Sequence, residues 1–109
     1  MSKKIESLRG KPVTVHAFGK KFETIIDLDH YRSGGKYAIE LVMANDSGNP
    51  FCTLTCNIPS VVLTENEILV KTWSENEEVA KAALASGLFR DTGKRVSTGF
   101  VLADIWEVL

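Results

Sequence analysis

Apolar and polar residues alternate with a period of two along most of this chain, the pattern of strands that cover one face and wet the other. Val13, Val15 and Ala17 alternate with Thr14, His16 and Phe18, which predicts a strand over Pro12 to Phe18. Gly19 and Lys20 then turn the chain into Lys21 to Leu28, whose Phe22, Thr24, Ile26 and Leu28 share a face, so the two runs read as an antiparallel hairpin. After a loop over Asp29 to Gly35, Tyr37 to Ala44 is a third strand. The turn-forming run Asn45 to Pro50 separates it from Phe51 to Ile58, where Cys52, Leu54, Cys56 and Ile58 point inward and Thr53, Thr55 and Asn57 outward. Glu67 to Trp73, Leu88 to Arg90, Lys94 to Leu102 and Ile105 to Leu109 complete the strands, with Asp91-Thr92-Gly93 as a hairpin turn between two of them.

Only between Trp73 and Leu88 does the period change to that of a helix. Ser74 followed by Glu77 has the spacing of a capping box, with the hydroxyl on the Glu77 N–H and the carboxylate returning the bond. Glu75, Glu77 and Glu78 complement the positive end of the dipole, and Gly87 stands where a left-handed terminator is wanted. Val79, Ala80, Ala83 and Leu84 form the apolar stripe, and the small Ala80, Ala82, Ala83 and Ala85 let the helix approach a sheet closely. Asn76 falls within that stripe, and a buried amide without a partner costs about 1 to 3 kcal/mol. Two readings of it follow. Either its amide bonds a strand end or loop backbone and fixes the helix, or it faces a groove together with Trp73 and the free N–H groups of the first turn. On the second reading, Trp73, Glu75 and Asn76 are the candidate binding residues.

Six or seven short strands and one helix over about residues 75–86 predict an α+β fold, a mainly antiparallel, curved sheet with the helix packed on one face. A chain of 109 residues without internal repeat or linker is read as a single domain, 1–109. Hydrophobic residues at 44% and charged residues at 25% are the balance of a soluble globular protein. Apolar runs are too short for a membrane span, and no signal-like stretch follows the first lysines, so the chain is expected in the cytoplasm with no membrane partner.

Charge is unevenly spread: residues 1–36 carry +4, residues 37–89 carry −5 and residues 90–109 carry none net, for −1 in all. The basic first third, with Lys3, Lys4, Arg9, Lys11, Lys20 and Lys21, is what a nucleic-acid-binding accessory protein would use. Eight scattered cations are equally what a solvated surface looks like. Cys52 and Cys56, four apart on one strand, lie about 13 Å from each other, too far for a disulfide or a shared metal. Asp27, Asp29 and His30 are the only candidate metal ligands close in sequence, and a small metal-dependent hydrolase would need them joined to a distant acid or histidine in a pocket. Ser33-Gly34-Gly35-Lys36 lacks the spacing of a phosphate loop. No catalytic residue, metal site or cofactor is assigned.

The second half of the chain resembles a family of small uncharacterised bacterial proteins, a domain of unknown function found in gut anaerobes, conjugative elements and phages. The resemblance spans about residues 36–108. It rests on the run from Gly48 to Ile58, on Ser74-Glu75-Asn76-Glu77, on Asp91-Thr92-Gly93 and on Gly99-Phe100. It implies a setting among mobile-element genes, whose small products often bind and blunt host defence proteins. The expectation is therefore a non-enzymatic protein that binds a protein partner, with nucleic-acid binding as the alternative. The edge strands Pro12 to Phe18 and Ile105 to Leu109 are further expected to be open to pairing with a second copy.

Overall fold

The structure, a computed structural model, describes residues 2–45 and 49–109, the side chains of Glu75 and Thr98 excepted. Its first sheet contains β1 (Pro12–Ala17), β2 (Lys20–His30), β3 (Tyr37–Met43) and β4 (Pro50–Thr53) in that order. Its second contains β5 (Glu67–Val70), β6 (Phe89–Thr98) and β7 (Val101–Val108) in the order β5-β7-β6, and every pairing is antiparallel. A short helix, α1 (Lys3–Glu6), precedes the sheets, and the main helix, α2 (Glu77–Ala85), links β5 to β6. The α+β, mainly antiparallel fold expected from the alternation is the one observed. The short α1 has no periodic signal; Ser2 caps it through its hydroxyl, which accepts the Ile5 N–H at 3.1 Å. Among the described residues no helix is long and apolar enough to cross a membrane.

The expected single sheet is two sheets, joined in series by the residues after β4. Leu54 N–H donates to the Ile39 carbonyl at 2.9 Å, while the Leu54 carbonyl accepts Lys71 N–H at 2.9 Å and Cys56 N–H donates to Leu69 at 3.1 Å. Two residues therefore carry the backbone from one sheet to the next. The strands follow one another as a curved layer, β1-β2-β3-β4-β5-β7-β6. This crossing breaks the alternation read for Phe51 to Ile58. Thr55, expected outward, is buried, with its hydroxyl accepting Ile39 N–H at 3.0 Å and sharing a hydrogen bond with Tyr31 Oη at 3.0 Å. Cys52 and Cys56 fall against different apolar clusters, so they do not form one pair.

Helix α2 packs on β1 and, more lightly, on β6, the two strands at the ends of the layer. Val79, Ala80 and Ala83 are the residues it buries. They join Val15, Ile39, Leu41, Leu54, Val70, Trp106 and the α1 residues Ile5 and Leu8 in the main core. The convex face of the second sheet has its own small cluster, in which Leu69, Ala103 and Ile105 are covered by Ile58, Val61, Leu63 and Trp73. That double cover explains why every residue of β5 is buried, a pattern that alternation does not predict.

Two sequence expectations are corrected by the last hairpin. Asp91-Thr92-Gly93 is a bulge inside a continuous β6, and the turn lies at Gly99-Phe100, with Thr98 opposite Val101. A bulge and a turn use the same residues: Gly93 takes φ +83° and the Asp91 carboxylate accepts its N–H at 2.9 Å. Ile105 to Leu109 is not an edge, because β7 is paired on both sides. β1 is an edge of its sheet but lies under α2.

Antiparallel register fixes which features share an end of the layer. Val42 faces Pro50, Thr55 faces Val70, Val70 faces Asp104, and Phe89 faces Val108. One end therefore holds the β1–β2 turn, the start of β4, the N-terminus of α2 and the β6–β7 turn. The opposite end holds α1, residues 31–36, residues 57–66 and Leu109.

Candidate binding surface

The start of the helix is built differently from the expected capping box. Ser74 takes φ +58° and opens a single 3-10 turn, Ser74–Asn76, from which α2 begins at Glu77. Neither Trp73 before that turn nor Asn76 before α2 makes a side-chain capping bond, and Glu77 N–H donates to the Ser74 backbone carbonyl instead of its hydroxyl. An N-cap hydroxyl needs an extended residue in front of the helix, and a left-handed Ser74 inside the turn does not supply one. The other end matches expectation: Gly87 is left-handed at φ +80°, and its N–H donates to Leu84 at 3.2 Å.

Asn76 donates its side-chain amide to the Thr53 carbonyl at 2.9 Å, which ties the first turn to the end of β4. That is the strand-end bond of the first reading. Trp73 turns the other way, onto the convex cluster with Leu69, Ala103 and Ile105. The structure therefore does not bring Trp73 and Asn76 to one site, and the Glu75 side chain lies outside the described residues. Only Ser74 and Glu75 lie between Trp73 and Asn76, yet the two side chains meet different parts of the fold.

Asn76 lines a groove of about 290 Å³ with Phe18, Phe51, Cys52, Thr53 and Val79. Phe51 packs on Phe22 with ring centroids 4.8 Å apart and ring planes tilted by 40°. Phe18 forms the outer lip. It is 74% exposed and holds φ +54° at the first position of a two-residue turn, followed by Gly19 at +71°. A second, wider groove of about 530 Å³ runs past the other side of Phe18, between His16, Lys20 and Lys21 on the hairpin and Glu78 on α2.

The β6–β7 hairpin reaches the same end of the molecule and carries the most exposed apolar side chain described, Phe100. Leu102, 56% exposed, stands beside it, and Gly99 at φ +80° makes the turn. Below this apolar tip the hairpin is braced. Arg95 donates both Nη atoms to Asp91 at 3.0 Å, and its Nε lies 2.9 Å from an Asp104 oxygen. Asp104 also accepts Trp106 Nε1 at 3.4 Å and Thr72 Oγ1 at 3.5 Å. Arg95 beside it and the Gly93 N–H hold the Asp91 carboxyl below its ordinary value, and Asp91 raises Arg95 further in return. On the opposite face, burial pushes Glu67 upward, but the Lys94 ammonium and the Thr64 N–H outweigh it, and the carboxyl sits below its ordinary value.

The other sequence candidates do not converge. Asp27, Asp29 and His30 are exposed; Asp27 pairs with Arg9 at 3.5 Å, Asp29 accepts the His30 N–H at 2.8 Å, and the His30 ring stacks on Tyr37 at 4.5 Å. The pocket a hydrolase reading asks of them is not formed, and no cluster of metal-ligating side chains occurs among the described residues. Lys36 donates to the Pro59 carbonyl at 3.1 Å, so this lysine anchors a loop. The cations of the first third are divided by the length of β1. Lys3, Lys4, Arg9 and Lys11 lie at one end and Lys20 and Lys21 at the other, about 20 Å away at strand rise.

The alternation places Phe18 on the wet face of a strand over Pro12 to Phe18 and Phe100 inside a strand over Lys94 to Leu102, but both lie in turns, where alternation carries no information about exposure. The available signal was the pairing of each Phe with a glycine in a two-residue connection, Phe18-Gly19 and Gly99-Phe100. Compared with protein-family models, curated proteins and solved structures, the chain gives no match.

Proposed function

We propose that this protein is a non-enzymatic, cytoplasmic binding protein that engages a protein partner with the tip of its β6–β7 hairpin. The observation that carries this reading is Phe100, which is fully exposed at the end of a hairpin stiffened by the Asp91–Arg95–Asp104 brace. An aromatic residue of that kind costs little to order on binding and gains its whole area from a complementary pocket. Leu102 widens the apolar tip, and the backbone beneath it is already fixed. Only the resemblance to the uncharacterised bacterial family narrows the partner to a host defence protein, with this chain as its inhibitor. Nucleic-acid binding receives less support, because the basic residues are split between two ends of β1 and Arg9 and Lys21 already face carboxylates.

Affinity capture from the source organism tests the reading when wild type and Phe100→Ser are run side by side. The expected result is a protein retained by wild type and lost with Phe100→Ser, at unchanged thermal stability. Retention of the same proteins by both contradicts it. Recovery of DNA or RNA that is shed steeply as salt rises transfers support to the nucleic-acid alternative.

A further inference from the structure

We infer that the Phe18 end of the β1–β2 hairpin and the first turn of α2 form a two-fold contact between two copies of this chain. Phe18 is the starting point. An aromatic side chain is exposed there although its backbone holds a left-handed conformation that glycine or asparagine adopts more readily. Nothing in the monomer repays that placement, since the ring lines two grooves and fills neither. Backbone strain kept at an exposed aromatic points to a contact made outside the monomer.

Charge identifies the occupant. Lys20 and Lys21 lie on the hairpin side of the wider groove, Glu78 lies across it on α2, and Glu77 precedes Glu78. A patch with cations on one flank and acids on the other is complementary to itself under a two-fold rotation. Lys20 and Lys21 of one copy then meet Glu77 and Glu78 of its partner, twice over, with the two Phe18 rings near the axis. Each ring enters the neighbouring copy's smaller groove against Phe51 and Val79. The pairs made within one copy are loose: Lys81 lies 3.9 Å from Glu77 and 3.5 Å from Glu78, and Lys21 lies 3.5 Å from Glu23. All of these side chains are more than half exposed, so exchanging partners costs little. The contact is made by side chains and not by strand edges: β7 is internal, β1 packs against α2, and β6, the other end of the layer, carries neither Phe18 nor the charges that flank it. The Phe100 tip takes no part in this contact.

Sedimentation equilibrium on the full chain, from low micromolar to near millimolar concentration, tests the inference. Wild type is expected to show a reversible monomer–dimer equilibrium. Phe18→Asn, which suits the turn and keeps the fold, is expected to weaken it by about tenfold or more. The double reversal Lys20→Glu with Lys21→Glu is expected to abolish the dimer, and adding Glu77→Lys with Glu78→Lys to restore it. Phe100→Ser is expected to leave it unchanged, which separates this contact from the proposed partner surface. A wild type that stays monomeric throughout overturns the inference and hands the Phe18 surface to a different protein. So does a dimer that Phe18→Asn leaves intact, one that the restoring charge swap fails to rescue, or one that Phe100→Ser dissolves.

Discussion

The two hairpins close with the same two residues in opposite order, and the difference is instructive. In Gly99-Phe100 the glycine takes the left-handed position at φ +80° and the phenylalanine follows without strain. In Phe18-Gly19 both residues are left-handed, at +54° and +71°, so the phenylalanine occupies a position that suits glycine, asparagine or aspartate. The β6–β7 turn therefore presents its ring at no backbone cost. The β1–β2 turn presents its ring at a cost of about 1 to 2 kcal/mol. Their roots differ as well. The β6–β7 hairpin is anchored by the fully buried Trp106 and by a network of charged side chains, whereas the β1–β2 hairpin rests on Val13, Val15 and Ala17 beneath α2.

The largest effect expected from this contrast lies at the roots. Trp106→Ala should remove about 3 to 5 kcal/mol of stability, since the ring is 0% exposed and packs on Phe89 at 5.7 Å. Val15→Ala, equally buried, should remove only about 2 kcal/mol. Urea unfolding of the two variants measures the ratio.

Next comes the brace. Arg95→Ala leaves Asp91 and Asp104 facing each other without their shared cation and should cost about 1 kcal/mol, the modest value reflecting partial exposure of the guanidinium. Amide exchange over residues 94–104 should quicken while β1 and β2 are unaffected. The carboxyls of this half also set an acid dependence. Asp91 and Glu67 titrate below their ordinary 3.8 and 4.5 in the folded chain, so the stability they supply is whole above those values and drains away as pH falls through the lower folded ones. Acid titration of Arg95→Ala should show a shallower loss than wild type over that window.

The turns follow. Phe18→Asn should stabilise the monomer by about 1 kcal/mol, because the strain goes and no buried contact is lost. Phe100→Ser should change stability by no more than about 0.5 kcal/mol. Thermal unfolding of dilute samples distinguishes the two. Equal responses would remove the asymmetry between the hairpins.

Much of this fold is legible in the sequence because the first hairpin is half wet and half covered. Val13, Val15 and Ala17 alternate with exposed or half-exposed neighbours, and the spacing alone reveals the strand. Legibility fails where an element is covered on both faces or changes layers. All four residues of β5 are buried, and Thr55 turns inward where the backbone crosses between sheets. Turn residues mislead in the same way: Asp91-Thr92-Gly93 has the chemistry of a turn, and only the tertiary pairing of β6 with β7 makes it a bulge. Of the candidate site, Asn76 was marked by a polar residue in an apolar stripe, and the amide does bond a strand end. Trp73 was grouped with it by nearness in sequence, which a 3-10 turn between two layers undoes.

The braced aromatic tip is the surface proposed to meet another protein. Hydrogen–deuterium exchange on the captured complex, compared with the free chain, tests it most directly. The predicted result is new protection over residues 97–102 with little change at α1 and residues 57–66. Protection confined to the end that holds α1 and Lys11, with the β6–β7 turn exchanging as before, would contradict it.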